Sequence, residues 1–87
     1  MFTCEIFMRL DEEMQAQLLF AEGIFLMTRT TEKFRVELFL LYNFYVEVFF
    51  ENEDEPLFIK PFQDVADLRP YLGLINIDAL LENTDNR

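Results

Sequence analysis

The stretch that decides the fold is Phe34–Phe50, FRVELFLLYNFYVEVFF. Apolar residues recur at every second position on either side of Tyr42 and Asn43: Phe34, Val36, Leu38 and Leu40 before them, Phe44, Val46, Val48 and Phe50 after. A period of 2 carried by Phe, Val and Tyr marks pleated strands with one face buried. The spacing predicts two strands, Phe34–Leu41 and Phe44–Phe50, joined as a hairpin around Tyr42 and Asn43.

Upstream, Ile24–Thr30 reads as a further strand, separated from the hairpin by a turn at Thr31, Glu32 and Lys33. Downstream, Glu51, Glu53, Asp54 and Glu55 form an acidic loop before a fourth strand, Leu57–Phe62. Pro56 and Pro61 place that strand at a sheet edge, where a missing N–H costs little. Before the strands, Asp11, Glu12 and Glu13 precede apolar residues at Met14, Leu18 and Ala21, which is helical spacing with acids in the first turn; Gly23 is expected as a left-handed stop. Phe2, Cys4, Ile6, Met8 and Leu10 also alternate as a strand would, and the reading leans to one helix with an extended start. From Asp64 the helical spacing returns at Val65, Leu68, Tyr71, Leu72 and Ile75, with Asp64 or Asp67 as cap. Pro70 and Gly73 keep this helix short, Asp78–Leu81 allows one more turn, and Tyr71 reads as a contact between helix and sheet. The expected fold is α+β: a four-stranded antiparallel β-meander with an N-terminal helix and a short C-terminal helix packed on one face. Residues 1–82 make a single domain, and 83–87 a frayed polar tail.

Composition narrows the function. The chain has 87 residues, enough for one core. Its 11 Phe and 52% hydrophobic content argue for folding despite a net charge of −10. Seven basic against 17 acidic residues disfavour direct nucleic-acid or anionic-membrane binding. No His is present and Cys4 is the single cysteine, which removes His-based triads, the usual Cys/His zinc sites and an internal disulfide. No cofactor is implied. Glu5 and Arg9 interrupt the apolar start, so Met1–Leu10 reads as part of the domain rather than a secretory leader. No uninterrupted apolar stretch reaches the roughly 18–20 residues of a spanning helix. A lone thiol suits a reducing compartment, so a cytoplasmic protein is expected.

The faces of the sheet point to a partner. If the hairpin connection has an odd length, paired positions sum to an even number and the even-numbered apolar residues share one face, the bed for both helices. The odd positions then carry Phe39, Leu41, Tyr45 and Phe49, joined by Phe25 and Met27, beside the charged Arg35, Glu37 and Glu47. Nothing remains to cover these six apolar side chains, which approach the several hundred Å² of contiguous apolar surface that soluble monomers rarely exceed. A second copy packed sheet on sheet about a twofold axis is the expected cover. Arg29 or Arg35 would meet Glu37 or Glu47 within or across that interface.

Other patterns carry less. The acidic run at 51–55 lacks the order of an EF-hand loop and suits a solvated turn. Glu37 and Glu47, on one face under this register, permit a paired-carboxylate site on paper, but no pocket signature, Ser-based motif or glycine-rich phosphate loop accompanies them. The strand Phe44–Phe50 followed by Pro70, Tyr71 and Leu72 resembles a family of small uncharacterised bacterial proteins built as helix, meander and closing helix. The likeness spans roughly Gly23 to Ile77 and brings no activity with it. The expected function is therefore a non-enzymatic protein-interaction module that self-associates as a homodimer. The alternative is a small acidic inhibitor or nucleic-acid mimic that binds a basic protein.

Overall fold

The chain opens with two helices rather than one. α1 spans Cys4–Arg9 and α2 spans Glu12–Glu22. The computed structural model describes residues 2–51 and 56–72, so the expectations for 52–55, for a turn at 78–81 and for the tail at 83–87 lie outside it. The break between the helices comes from Asp11, whose Oδ1 accepts from the Met14 N–H at 2.9 Å. A carboxylate that satisfies a backbone donor in this way is worth more as an N-cap than inside a helix. Leu10 is accordingly extended, at φ −76° and ψ 151°. Thr3 caps α1 by accepting from Ile6 N–H. Gln15, buried on α2, donates from Nε2 to the Phe7 carbonyl at 2.8 Å and locks the two helices together.

Two details of α2 differ from expectation. Its buried side is Gln15 and Leu19, whereas Met14 and Ala21 are exposed. Gly23 ends the helix at φ −73°, not in the left-handed region. Glycine is needed there for room: a Cβ would lie 2.5 Å from the Leu19 carbonyl oxygen and 2.8 Å from Leu19 Cδ1.

The sheet is the expected meander, with strands β1 (Ile24–Thr30), β2 (Arg35–Leu41), β3 (Phe44–Phe50) and β4 (Pro56–Phe62) antiparallel and adjacent in that order. Both edges are blunted. β4 carries Pro56, Lys60 and Pro61, and β1 has an irregularity between Phe25 and Met27 that leaves Leu26 without a partner.

The hairpin corrects the expected register. Leu41 pairs directly with Phe44, so the connection is the two-residue turn Tyr42–Asn43, and every β2–β3 pair from Arg35↔Phe50 onward sums to an odd number. Two-residue turns match the twist of antiparallel strands, and the match here places Tyr42 at φ 56°. Each face therefore combines odd positions of one strand with even positions of the other. The front face carries Glu37, Phe39 and Leu41 with Phe44, Val46, Val48 and Phe50. The back face carries Val36 and Leu38 with Tyr45, Glu47 and Phe49.

The terminal segments divide these faces between them. On the front, Cys4 and Phe7 of α1 and Leu19 of α2 close over Leu41, Phe44, Val46 and Val48. On the back, a 3₁₀ turn at Val65–Leu68 leads into α3 (Arg69–Leu72), placing Leu68 and Tyr71 on Leu38, Phe62, Met27 and Tyr45. Asp64 caps the turn by accepting from Ala66 N–H at 2.9 Å, as the sequence suggested. The helices thus pack on opposite faces and not on one, because the alternation of apolar side chains supplies a bed on each side.

Candidate functional site

The ten residues singled out from the sequence separate onto the two faces. Phe25, Phe39 and Leu41 belong to the front; Met27, Tyr45 and Phe49 belong to the back. Leu41 is fully buried beneath the helices. Phe39 packs against that core, and Phe25 meets it edge-on at 5.6 Å while remaining half exposed. Tyr45 stacks on Phe62 and Phe49 on Phe58. These six therefore form no single stripe, which removes the one-face argument for a sheet-on-sheet dimer. Glu37 and Glu47 also lie on opposite faces, so the sheet separates the two carboxylates.

The charged residues pair within the chain. Arg35 Nε lies 3.4 Å from Glu37 Oε2 on the front, a charge contact without hydrogen-bond geometry, and the guanidinium stacks 4.3 Å over the Phe50 ring. On the back, Glu47 is 3% exposed in the middle of β3. Its Oε2 accepts from the Tyr71 hydroxyl at 2.6 Å and from Arg29 Nη2 at 3.0 Å. Arg29 in turn lies between the rings of Tyr71, at 5.2 Å, and Phe49, at 5.9 Å. Tyr71 is the expected contact between helix and sheet, and it is also the group that fastens α3 to the buried carboxylate.

Protonation follows from this arrangement. Burial disfavours the charged guanidinium of Arg29, but its contacts with Tyr71 and Glu47 outweigh that and hold it above its ordinary value. Burial, then donation to Glu47, pushes the Tyr71 phenol well above its ordinary value of 10.0. The unfolded chain releases this proton near pH 10 and the folded chain keeps it. Above that pH the unfolded state binds fewer protons, and stability falls by about 1.4 kcal/mol per pH unit. We expect Tyr71→Phe to cost about 1.5–3 kcal/mol near neutrality and to flatten this alkaline decline. Urea titrations of both chains across the alkaline range check it, since Tyr42 and Tyr45 are common to the two.

The described residues leave the front face incompletely covered. Between α2 and the sheet runs a cleft of about 330 Å³, with Ala16, Leu19 and Phe20 on the helix side and Phe25, Phe39, Val48, Phe50 and Ile59 on the sheet side. Glu37 is the ionisable group among its described lining residues. At its rim Phe20 is 95% exposed. Sequence reasoning missed Phe20 because it lies off the expected stripe of Met14, Leu18 and Ala21. A large aromatic at a position predicted to face solvent was the available signal.

Cys4 behaves as a small buried hydrophobe, its thiol pushed up by burial and by the charge of Glu5. Among the described residues no three His, Cys, Asp or Glu are grouped to hold a metal ion. No helix there is long and apolar enough to cross a membrane. Fold and site together define an α+β meander domain with a buried carboxylate fastening on one face and an open apolar cleft on the other. No family model, curated protein or solved structure matches the chain. The likeness of Phe44–Phe50 and Pro70–Leu72 to small bacterial proteins accordingly rests on pattern alone.

Proposed function

We propose that the chain is a non-enzymatic protein-interaction module that self-associates, using the front cleft and its α2 rim. The observation that carries this reading is Phe20, 95% exposed beside an apolar cleft. Large apolar side chains standing free next to a further apolar surface mark interaction sites more than solvated ones. The back face is a poorer candidate, since Leu68 and Tyr71 already occupy its centre. Pairing along a sheet edge is opposed by the prolines of β4 and the irregularity in β1.

Charge acts against any association. Two copies each bearing −10 repel, and α2, which forms the rim, adds the exposed Glu12, Glu13 and Glu22. The cleft offers Glu37, and Arg35 stands against it.

Sedimentation velocity over a concentration series reaching roughly tens of micromolar tests the reading, a range that reports dissociation constants near 1 μM or tighter. A dimer is expected. Its affinity rises with salt, because screening reduces repulsion between two acidic copies over distances beyond about 10 Å at 0.1 M. Capture of a basic protein by charge would weaken with salt instead. A chain that stays monomeric at every salt concentration overturns the proposal.

A further inference from the structure

We infer that the occupant of the front cleft is Phe20 of a second copy, inserted reciprocally about a twofold axis. This rests on the self-association proposed above and names its contact. Each chain carries a projecting aromatic ring at the rim of an apolar cleft that the described residues leave open. When knob and hole share one surface, a twofold axis between them sets each knob opposite the partner's hole, which is the self-complementarity that an isologous interface requires.

Size agrees with this occupant. An apolar cavity of about 150 Å³ is enough to take a benzene ring. The cleft, at about 330 Å³, has room for a phenylalanine side chain. Its walls are suited to a ring as well: Phe25 and Phe39 meet edge-on at 5.6 Å, leaving aromatic surface for offset or edge contacts. A basic or acidic occupant fits less well, because Glu37 is the ionisable group among the described lining residues and Arg35 already opposes its charge. The exposure of Phe20 on α2 has a reason in this arrangement. The inner side of that helix needs little more than Gln15 and Leu19 to hold α1 and the sheet, which leaves Phe20 free to project outward.

The test uses two variants of the full chain, alone and mixed. Phe20→Ser removes the knob and, of the hole, only its own rim position, the other walls staying in place. Ala16→Phe, on the helix wall of the cleft, fills the hole and keeps the knob. In a twofold dimer each substitution strikes both contacts, so each variant alone is expected to dimerise at least about 100-fold more weakly than the parent. Mixed in equal amounts, the two retain one contact, Phe20 of the filled chain in the open cleft of the other, which lacks only its own rim ring. The mixed dimer is then expected to form about 10-fold or more tightly than either variant with itself.

Far-UV circular dichroism and a thermal melt establish that each variant folds, and Ala16→Leu replaces Ala16→Phe if the larger side chain does not. If Phe20→Ser dimerises as well as the parent, reciprocal insertion is wrong while self-association through another surface stands. If both variants are monomeric and the mixture stays monomeric, insertion is likewise overturned. If the parent itself is monomeric, this inference falls together with the reading it rests on.

Discussion

Glu47→Leu is expected to destabilise the chain by about 3–5 kcal/mol, the usual cost of removing one partner from a buried ion pair. The carboxylate is 3% exposed, and its Oε2 holds both the Tyr71 hydroxyl and the Arg29 guanidinium. Its loss leaves a cation confined between two rings with Nε already unpaired, and a phenol with no acceptor. The sign changes when the whole cluster is replaced. Combining Glu47→Leu with Arg29→Met and Tyr71→Phe removes every group that needed the carboxylate, and apolar replacements of similar volume for buried ion clusters are often neutral or stabilising. The triple variant is therefore expected to recover most of the loss, so that the substitutions are strongly non-additive. Urea unfolding of the single and combined variants checks this. A loss under about 1 kcal/mol for Glu47→Leu alone, the range of exposed pairs, would mean that water reaches the cluster and that it fastens nothing.

This cluster also shows where sequence reasoning stops. The four strands, their order and the edge position of the proline-bearing β4 follow from alternation and from the residues that cannot sit inside a sheet. The side of the sheet to which each side chain points does not. That depends on the length of one turn, and Tyr42–Asn43 reads as easily within a longer connection as in the two-residue turn that forms. One residue of difference there exchanges the partners of a whole strand. Phe39 and Leu41 move onto the face with Phe44 and Val46, while Glu47 joins Leu38 on the other. With that shift the exposed stripe expected from Phe25, Met27, Phe39, Leu41, Tyr45 and Phe49 dissolves, and the C-terminal helix α3 finds a bed of its own.

Four charged residues, Arg29, Arg35, Glu37 and Glu47, were expected at an interface without their partners being fixed; within the chain Arg29 meets Glu47 and Arg35 meets Glu37. Which of them would be buried was not legible, since burial of Glu47 depends on Tyr71, 24 residues away. The break at Leu10 was equally hidden: Phe2–Leu10 alternates apolar residues in a way that fits a helix or a strand, and the deciding contact is Asp11 with its own backbone.

The final expectation sets Phe44 against Phe20, residues of one type with opposite duties. Phe44 is fully buried beside the hairpin turn, where Leu41 pairs with it and the Phe7 ring of α1 lies 5.6 Å away. Phe44→Ala removes the surface that joins turn, sheet and N-terminal helix and leaves a cavity, which typically costs about 3–5 kcal/mol. A domain of this length has a total stability of roughly 4–13 kcal/mol at about 0.05–0.15 kcal/mol per residue. The substitution thus consumes a large share of it, lowering the melting temperature by on the order of 12–40 °C. Phe20→Ser at low protein concentration is expected to shift stability by less than about 0.5 kcal/mol, as surface changes do. At concentrations where the parent dimerises, the ranking changes, because only Phe20 then loses a contact with the second copy and its melting temperature ceases to rise with concentration. Melts of both variants and the parent at two widely separated concentrations distinguish the roles. A parent melting temperature independent of concentration, with Phe20→Ser indistinguishable from it throughout, would leave the exposed ring with no part in association.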